Sequence, residues 1–213
     1  MKNKTPHILI ILLVIASVIT GYILYPVLPS ELASSWNAQG QVSDHISKFW
    51  GISFFPFLML ALYLTYLIIP KVDPLSENIK KFRKYYDLFW VFMTSFIGYL
   101  FALTLFWNLG FRFNFAFFMV PAVAALWFSV SILLNHTKRN WFIGIRTPWT
   151  LSNDEVWDKT HELGSKLFKI ASIIALSGFL FPNSVLVVSV IAPAVIIAFV
   201  TVAYSYIVYQ RVN

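Results

Sequence analysis

Six long apolar runs separated by polar connections set the pattern of this chain. The runs cover residues 7–25, 51–70, 87–108, 115–134, 166–181 and 184–209, and a helix needs about 20 apolar residues to cross the hydrocarbon core of a bilayer. The pattern predicts an all-α fold, a polytopic bundle of six transmembrane helices with both termini on one side. Residues 1–70 read as a first hairpin with a connection over 26–50, and residues 87–134 as a second. Residues 135–165 read as a polar loop with a helix, and 166–213 as a last hairpin closed by Pro182 and Asn183. Lys166 and Lys169 enter the fifth run, where their long stems can carry charge out to the interface. The run from His7 follows Met1-Lys2-Asn3-Lys4 with no small-residue cleavage site and is too long for a signal peptide, so it reads as a retained first helix. Pro56, Pro121 and Pro193 fall in the even-numbered runs, where each is expected to kink its helix by removing a backbone hydrogen bond.

Composition agrees: 59% of residues are hydrophobic, 12% are charged and the mean hydropathy is +0.73. A soluble domain with so few charges could not cover its own surface. The net charge of +7 reads as a topology signal rather than a nucleic-acid footprint, because no basic-aromatic groove motif accompanies it. With the N-terminus inside, fourteen of the 16 Lys and Arg residues fall on the inner side and only Lys48 and Arg112 on the outer one. The positive-inside rule then predicts cytoplasmic termini, a cytoplasmic 135–165 segment and an extracellular 26–50 loop. The absence of cysteine removes disulfides, thiolate nucleophiles and thiolate metal ligands.

Every Asp and Glu falls in a connection or at a helix end, leaving hydroxyls and Asn108 as the polar groups near membrane depth. Ion-driven carriers and intramembrane proteases need ionisable groups inside, so both are disfavoured. A hydroxyl-lined facilitator stays open. Most tyrosines and tryptophans cluster near the ends of runs, where they suit interfacial anchoring.

The densest chemistry lies in Asn140-Trp141-Phe142-Ile143-Gly144-Ile145-Arg146-Thr147-Pro148-Trp149-Thr150-Leu151-Ser152. Gly144 permits a left-handed or close approach, and Pro148 drives Thr147 toward extended geometry, so the loop has a prescribed path. Ser152 to Glu155 reads as a capping box with Leu151 and Val156 as its staple, which starts a helix at Asn153 that bends near Gly164. Asp154, Asp158 and His161 share one face of that helix, a pattern open to metal binding, to acid-base chemistry or to simple solvation. The two loop tryptophans likewise fit headgroup anchoring, with Arg146 capping a neighbouring helix.

The Asn140 to Ser152 run, followed by Glu155-Val156-Trp157 and His161, resembles the signature loop of the SdpI family of bacterial membrane immunity proteins. The outer segment Leu28-Pro29, Trp36-Asn37-Ala38-Gln39-Gly40 and Ser47-Lys48 is similar to a module found ahead of that signature, with Ser35 standing where many relatives carry histidine. The resemblance implies a plasma-membrane protein, without cofactor or catalysis, that protects its producer from a secreted peptide toxin. It also implies a family signalling role, holding a cytoplasmic transcriptional repressor at the membrane while contacting lipid and not nucleic acid. On that reading Asn140, Gly144, Arg146, Thr147, Pro148, Trp149, Thr150, Trp157 and His161 form the cytoplasmic surface, and Trp36, Asn37 and Gly40 shape the outer turn. The rivals are a facilitator or exporter of peptide or lipid, and a membrane enzyme using Asp154, Asp158 and His161.

Overall fold

The computed structural model describes residues 4–37 and 39–212, leaving the side chain of Asn183 aside. The expectations placed on Lys2 and Ala38 lie outside the described residues. In chain order the elements are α1 (Thr5–Leu24), β1 (Glu31–Trp36), β2 (Val42–Ser47), α2 (Lys48–Val72), α3 (Ser76–Lys81), α4 (Arg83–Asn108), α5 (Phe115–His136), α6 (Pro148–Ser152), α7 (Asp154–Ser177) and α8 (Asn183–Val212). Among the described residues, six helices are long and apolar enough to cross a membrane: α1, α2, α4, α5, α7 and α8. Their outer faces carry large apolar side chains, such as Ile19 on α1 and Phe199 on α8 at 50% and 74% exposure. Faces of that size suit lipid and not water.

One expectation is corrected, and the fifth span begins earlier than its apolar run. The chain is not all-α: the 26–50 connection folds as an antiparallel β-hairpin, pairing Glu31 with Ser47 and Leu32 with Ile46. The pairing is irregular between Ala33 and Ser35, and the consecutive residues Leu32 and Ala33 are both buried. Two buried residues in a row depart from the two-residue alternation that would have marked a strand. The fifth span is also one continuous helix from Asp154, about 36 Å long at 1.5 Å per residue. A Cβ at Gly164 would lie 2.5 Å from Ile145 Cδ1, so the glycine admits the preceding loop against α7.

The helix also starts by a different device. Asn153 is its N-cap, accepting from the amides of Glu155 and Val156 at 2.8 and 3.2 Å, with Asp154 and Glu155 in the first turn. Ser152 instead donates to Trp149 O. The reciprocal capping box lies one helix earlier, between Thr147 and Thr150 at the head of α6.

Three apolar clusters hold the bundle. One joins α1, α2, α3 and α4 around Tyr66, Phe82, Tyr86 and Trp90; a second joins α5, α7 and α8 around Val120, Trp127, Ala175 and Leu186; a third packs Leu28 and Leu32 under the hairpin against Ile52, Phe101 and Leu105. Small residues allow close helix approach in the second cluster, where Ala124, Ala171 and Ala175 are buried. Ser131 and Ser165 meet between α5 and α7 at 3.3 Å. The hairpin sits at one end of the bundle. The Thr137–Ser152 segment sits at the other, together with the start of α1, the α2–α4 connection and the end of α8.

Candidate functional site

The connection after α5 is organised by Asn140, which is fully buried. Its Oδ1 accepts from the amides of Phe142 and Ile143 at 3.0 and 2.7 Å. Its Nδ2 donates to Lys138 O and Ile143 O at 2.9 and 2.8 Å. One amide side chain thus replaces the backbone ladder that an isolated turn lacks. The flanking residues are tied to the end of α2 and to α3: Asp73 accepts from Trp141 N at 2.9 Å, and Asn78 donates to Arg139 O at 2.9 Å.

Gly144 then brings the chain onto α7. Its φ is +121°, and a Cβ would collide with His161 Nε2 and lie 3.1 Å from the Trp157 ring. Ile145 N donates to His161 Nε2 at 2.9 Å, while Nδ1 of the same ring lies 2.8 Å from Trp157 O. An amide N–H can only donate, so Nε2 accepts and the ring proton sits on Nδ1, donated to Trp157 O. The indole of Trp157 stacks on His161 with centroids 3.9 Å apart and donates from Nε1 to Thr137 O at 3.2 Å. Both side chains are buried. They form the floor on which the loop rests.

Thr147 and Thr150 close the arrangement. Thr150 N donates to Thr147 Oγ1 at 3.1 Å and Thr147 N to Thr150 Oγ1 at 2.9 Å. Thr150 Oγ1 also donates to Ile145 O at 2.9 Å, and Thr147 Oγ1 reaches Ser205 of α8 at 3.1 Å. Pro148 occupies the first turn of α6, where its missing N–H costs nothing. Trp149 packs on Tyr206 of α8, centroids 5.0 Å apart. Arg146 donates to Trp141 O at 3.0 Å, and Trp141 and Phe142 are exposed.

At the other end, Asn37 Oδ1 accepts from the amides of Gln39 and Gln41, and Gly40 turns with φ +79° against Asn114. Trp36 stacks on Phe115 at 4.0 Å and meets Trp107 edge-on at 5.6 Å. Asn108 bonds both backbone groups of Ala33, accepting from its N–H at 2.8 Å and donating to its carbonyl at 3.1 Å. It serves α4 as a docking point for the strand.

Residues 136–205, which contain this whole loop, match the SdpI/YfhL protein family, and residues 12–60 match a domain of unknown function, DUF1648. Over 211 residues, 97% of each chain, the sequence is 26% identical to the protein named Immunity protein SdpI of Bacillus subtilis (strain 168). The chain is thus similar to the SdpI/YfhL family over its last third and to this immunity protein over nearly its whole length. No solved structure matches it. Its six apolar helices and this relative make it a multi-pass membrane protein.

Within the matched segment, the structure gathers Asn140, Gly144, Thr147, Thr150, Trp157 and His161 into one buried assembly. Arg146, Pro148 and Trp149 lie at its exposed or half-exposed edge. It does not gather Asp154, Asp158 and His161 into a centre. Asp154 pairs with Arg139 at 2.7 Å and Asp158 with Lys138 at 3.2 Å, while both nitrogens of His161 face backbone groups. Among the described residues no group of three or more His, Asp and Glu is placed to hold a metal. Sequence reasoning missed Asp73, Asn78 and Ser205 as partners of the loop. Asp73-Pro74 carried a turn signal, and Asp73 does accept from Leu75 N at 2.7 Å. Nothing in its neighbourhood pointed to Trp141, 68 positions away.

Proposed function

We propose that this protein confers immunity to a secreted antimicrobial peptide in a bacterial plasma membrane. The observation that carries the reading is the full-length match to a protein named for immunity, joined to a loop, inside the 136–205 family match, that is folded by Asn140, Gly144, Thr147 and Thr150. The termini and the loop face the cytoplasm and the β-hairpin faces outside; the clustering of Lys71, Lys80, Lys81, Arg83, Lys84, Lys138, Arg139 and Arg146 at the loop end supports this. The hairpin, with Trp36, Asn37 and Gly40, is the part that meets the toxin. The exposed face of Trp141, Phe142 and Arg146 is the surface offered to a cytoplasmic repressor, which is held there while toxin is present.

The protein acts by binding and not by catalysis. Asp154 and Asp158 are engaged by cations, and the buried hydroxyls of the spans donate along their own helices, as Thr94 does to Trp90 O, Thr104 to Leu100 O and Thr201 to Ile197 O. Hydroxyls used in this way are poor lining for a continuous polar path, so the facilitator reading gains no support. Expression in a toxin-sensitive bacterium tests the proposal: the chain raises survival against the cognate peptide above that of cells carrying an unrelated six-span protein. Equal killing of both strains at matched membrane levels refutes it.

A further inference from the structure

A groove of about 910 Å³ opens at the loop end among α1, α2, α3 and α4, away from the signature loop. That volume is in the range of small-molecule sites. Four cations line it: Lys71, Lys80, Arg83 and Lys84. The carboxylate that lines it, Asp87, accepts from Arg83 Nε at 2.7 Å and from Tyr66 Oη at 3.0 Å. Glu77 takes up Lys80. Lys71 and Lys84 form no ion pair among the described residues, and both are exposed.

Arg83 is held in place while keeping donors free. Its Nη2 donates to Tyr66 Oη at 2.8 Å, and its guanidinium carbon lies 5.2 and 5.1 Å from the rings of Tyr66 and Tyr86. Nη1 has no acceptor among the described residues. A fork fixed in this way suits a phosphate oxygen.

Away from the cations the walls turn apolar, with Leu9, Leu67, Leu88 and Val91. Val91 lies eight residues along α4 from Arg83, about 12 Å at the helical rise. The walls are helical, so their backbone groups are already paired. An extended peptide would find few partners for its own backbone there, whereas an acyl chain needs none.

We infer that this groove is a binding site for an anionic phospholipid, with its phosphate between Lys71, Arg83 and Lys84 and an acyl chain along Leu9, Leu67, Leu88 and Val91. Basic pockets between membrane helices select such headgroups by charge. The inference needs only a membrane protein. It stands or falls independently of immunity.

The test uses the full chain, delipidated in detergent and titrated separately with dioleoylphosphatidylglycerol, dioleoylphosphatidylcholine and inorganic phosphate, with retained lipid read by native mass spectrometry and the unfolding midpoint read in parallel. Phosphatidylglycerol binds at least about tenfold more tightly than phosphatidylcholine, and the Lys71→Gln, Lys84→Gln double variant loses about tenfold or more of that affinity. The unliganded midpoint of that variant stays at the wild-type value, since neither lysine holds the fold. A Lys159→Gln, Lys166→Gln control on α7 keeps the affinity. Equal binding of the two lipids, equal losses in both double variants, or a phosphate response matching that of phosphatidylglycerol each overturns the site.

Discussion

Ile145 donates its backbone N–H to Nε2 of His161 at 2.9 Å, a bond that spans the 16 residues from loop to helix. Gly144, one residue before, passes close enough that any side chain would strike the ring that accepts this bond. Loop and helix are therefore closely fitted at this contact, and the glycine before it and the Trp157–His161 stack beneath it serve that fit.

Gly144→Ala combines strain with collision. A side chain at φ +121° costs about 1–3 kcal/mol, and the clash with His161 and Trp157 adds to it. Thermal unfolding of the detergent-solubilised chain should show a lowered midpoint. Because the two residues touch, adding His161→Ala should cost less than the two single changes together; strict additivity would mean that the contact is not the source of the strain.

Asn140 tests the turn itself. Asn140→Asp keeps the size but removes the donors that reach Lys138 O and Ile143 O, and faces those carbonyls with negative charge. Leaving buried partners unsatisfied costs about 1–3 kcal/mol for each group. The variant should be cut by trypsin at Arg139 or Arg146 well before the parent chain. Unchanged digestion would show that the loop does not depend on this side chain.

Asp73 joins two connections by accepting from Leu75 N and Trp141 N. Asp73→Ala should speed amide hydrogen exchange at both positions, by roughly tenfold or more if each bond to the charged group is worth about 1.5 kcal/mol. Acceleration at Leu75 alone would separate the two connections.

The cysteine-free sequence makes sidedness accessible to labelling. With the hairpin outside, Ser43→Cys should react with a membrane-impermeant maleimide in whole cells, and Ser152→Cys only after permeabilisation. The reverse result would invert the topology.

The six spans were legible because about 20 apolar residues in a row have few other uses, and the loop's path was legible in Gly144 and Pro148, whose backbone restrictions are local. What escaped the sequence was set by distant partners or by competition. Leu32 and Ala33, buried side by side, break the strand alternation. Asn153 displaced Ser152 as the cap of α7, and Ser152 turned back to Trp149. Asp73, Asn78 and Ser205 enter the site from the end of α2, from α3 and from α8. Trp157 and His161 were recognised as part of the surface, yet their role is to lie beneath it, which only the approach of Gly144 reveals.

Immunity is expected to depend on the folded loop as well as on the hairpin that meets the toxin, and a survival assay decides this. A sensitive bacterium expressing the intact chain, or its Arg146→Ala, Trp149→Ala variant at matched membrane levels, is challenged with the cognate toxic peptide. The account predicts survival with the intact chain and loss of protection with the variant. Full protection by both would contradict it, leaving the loop outside the protective mechanism.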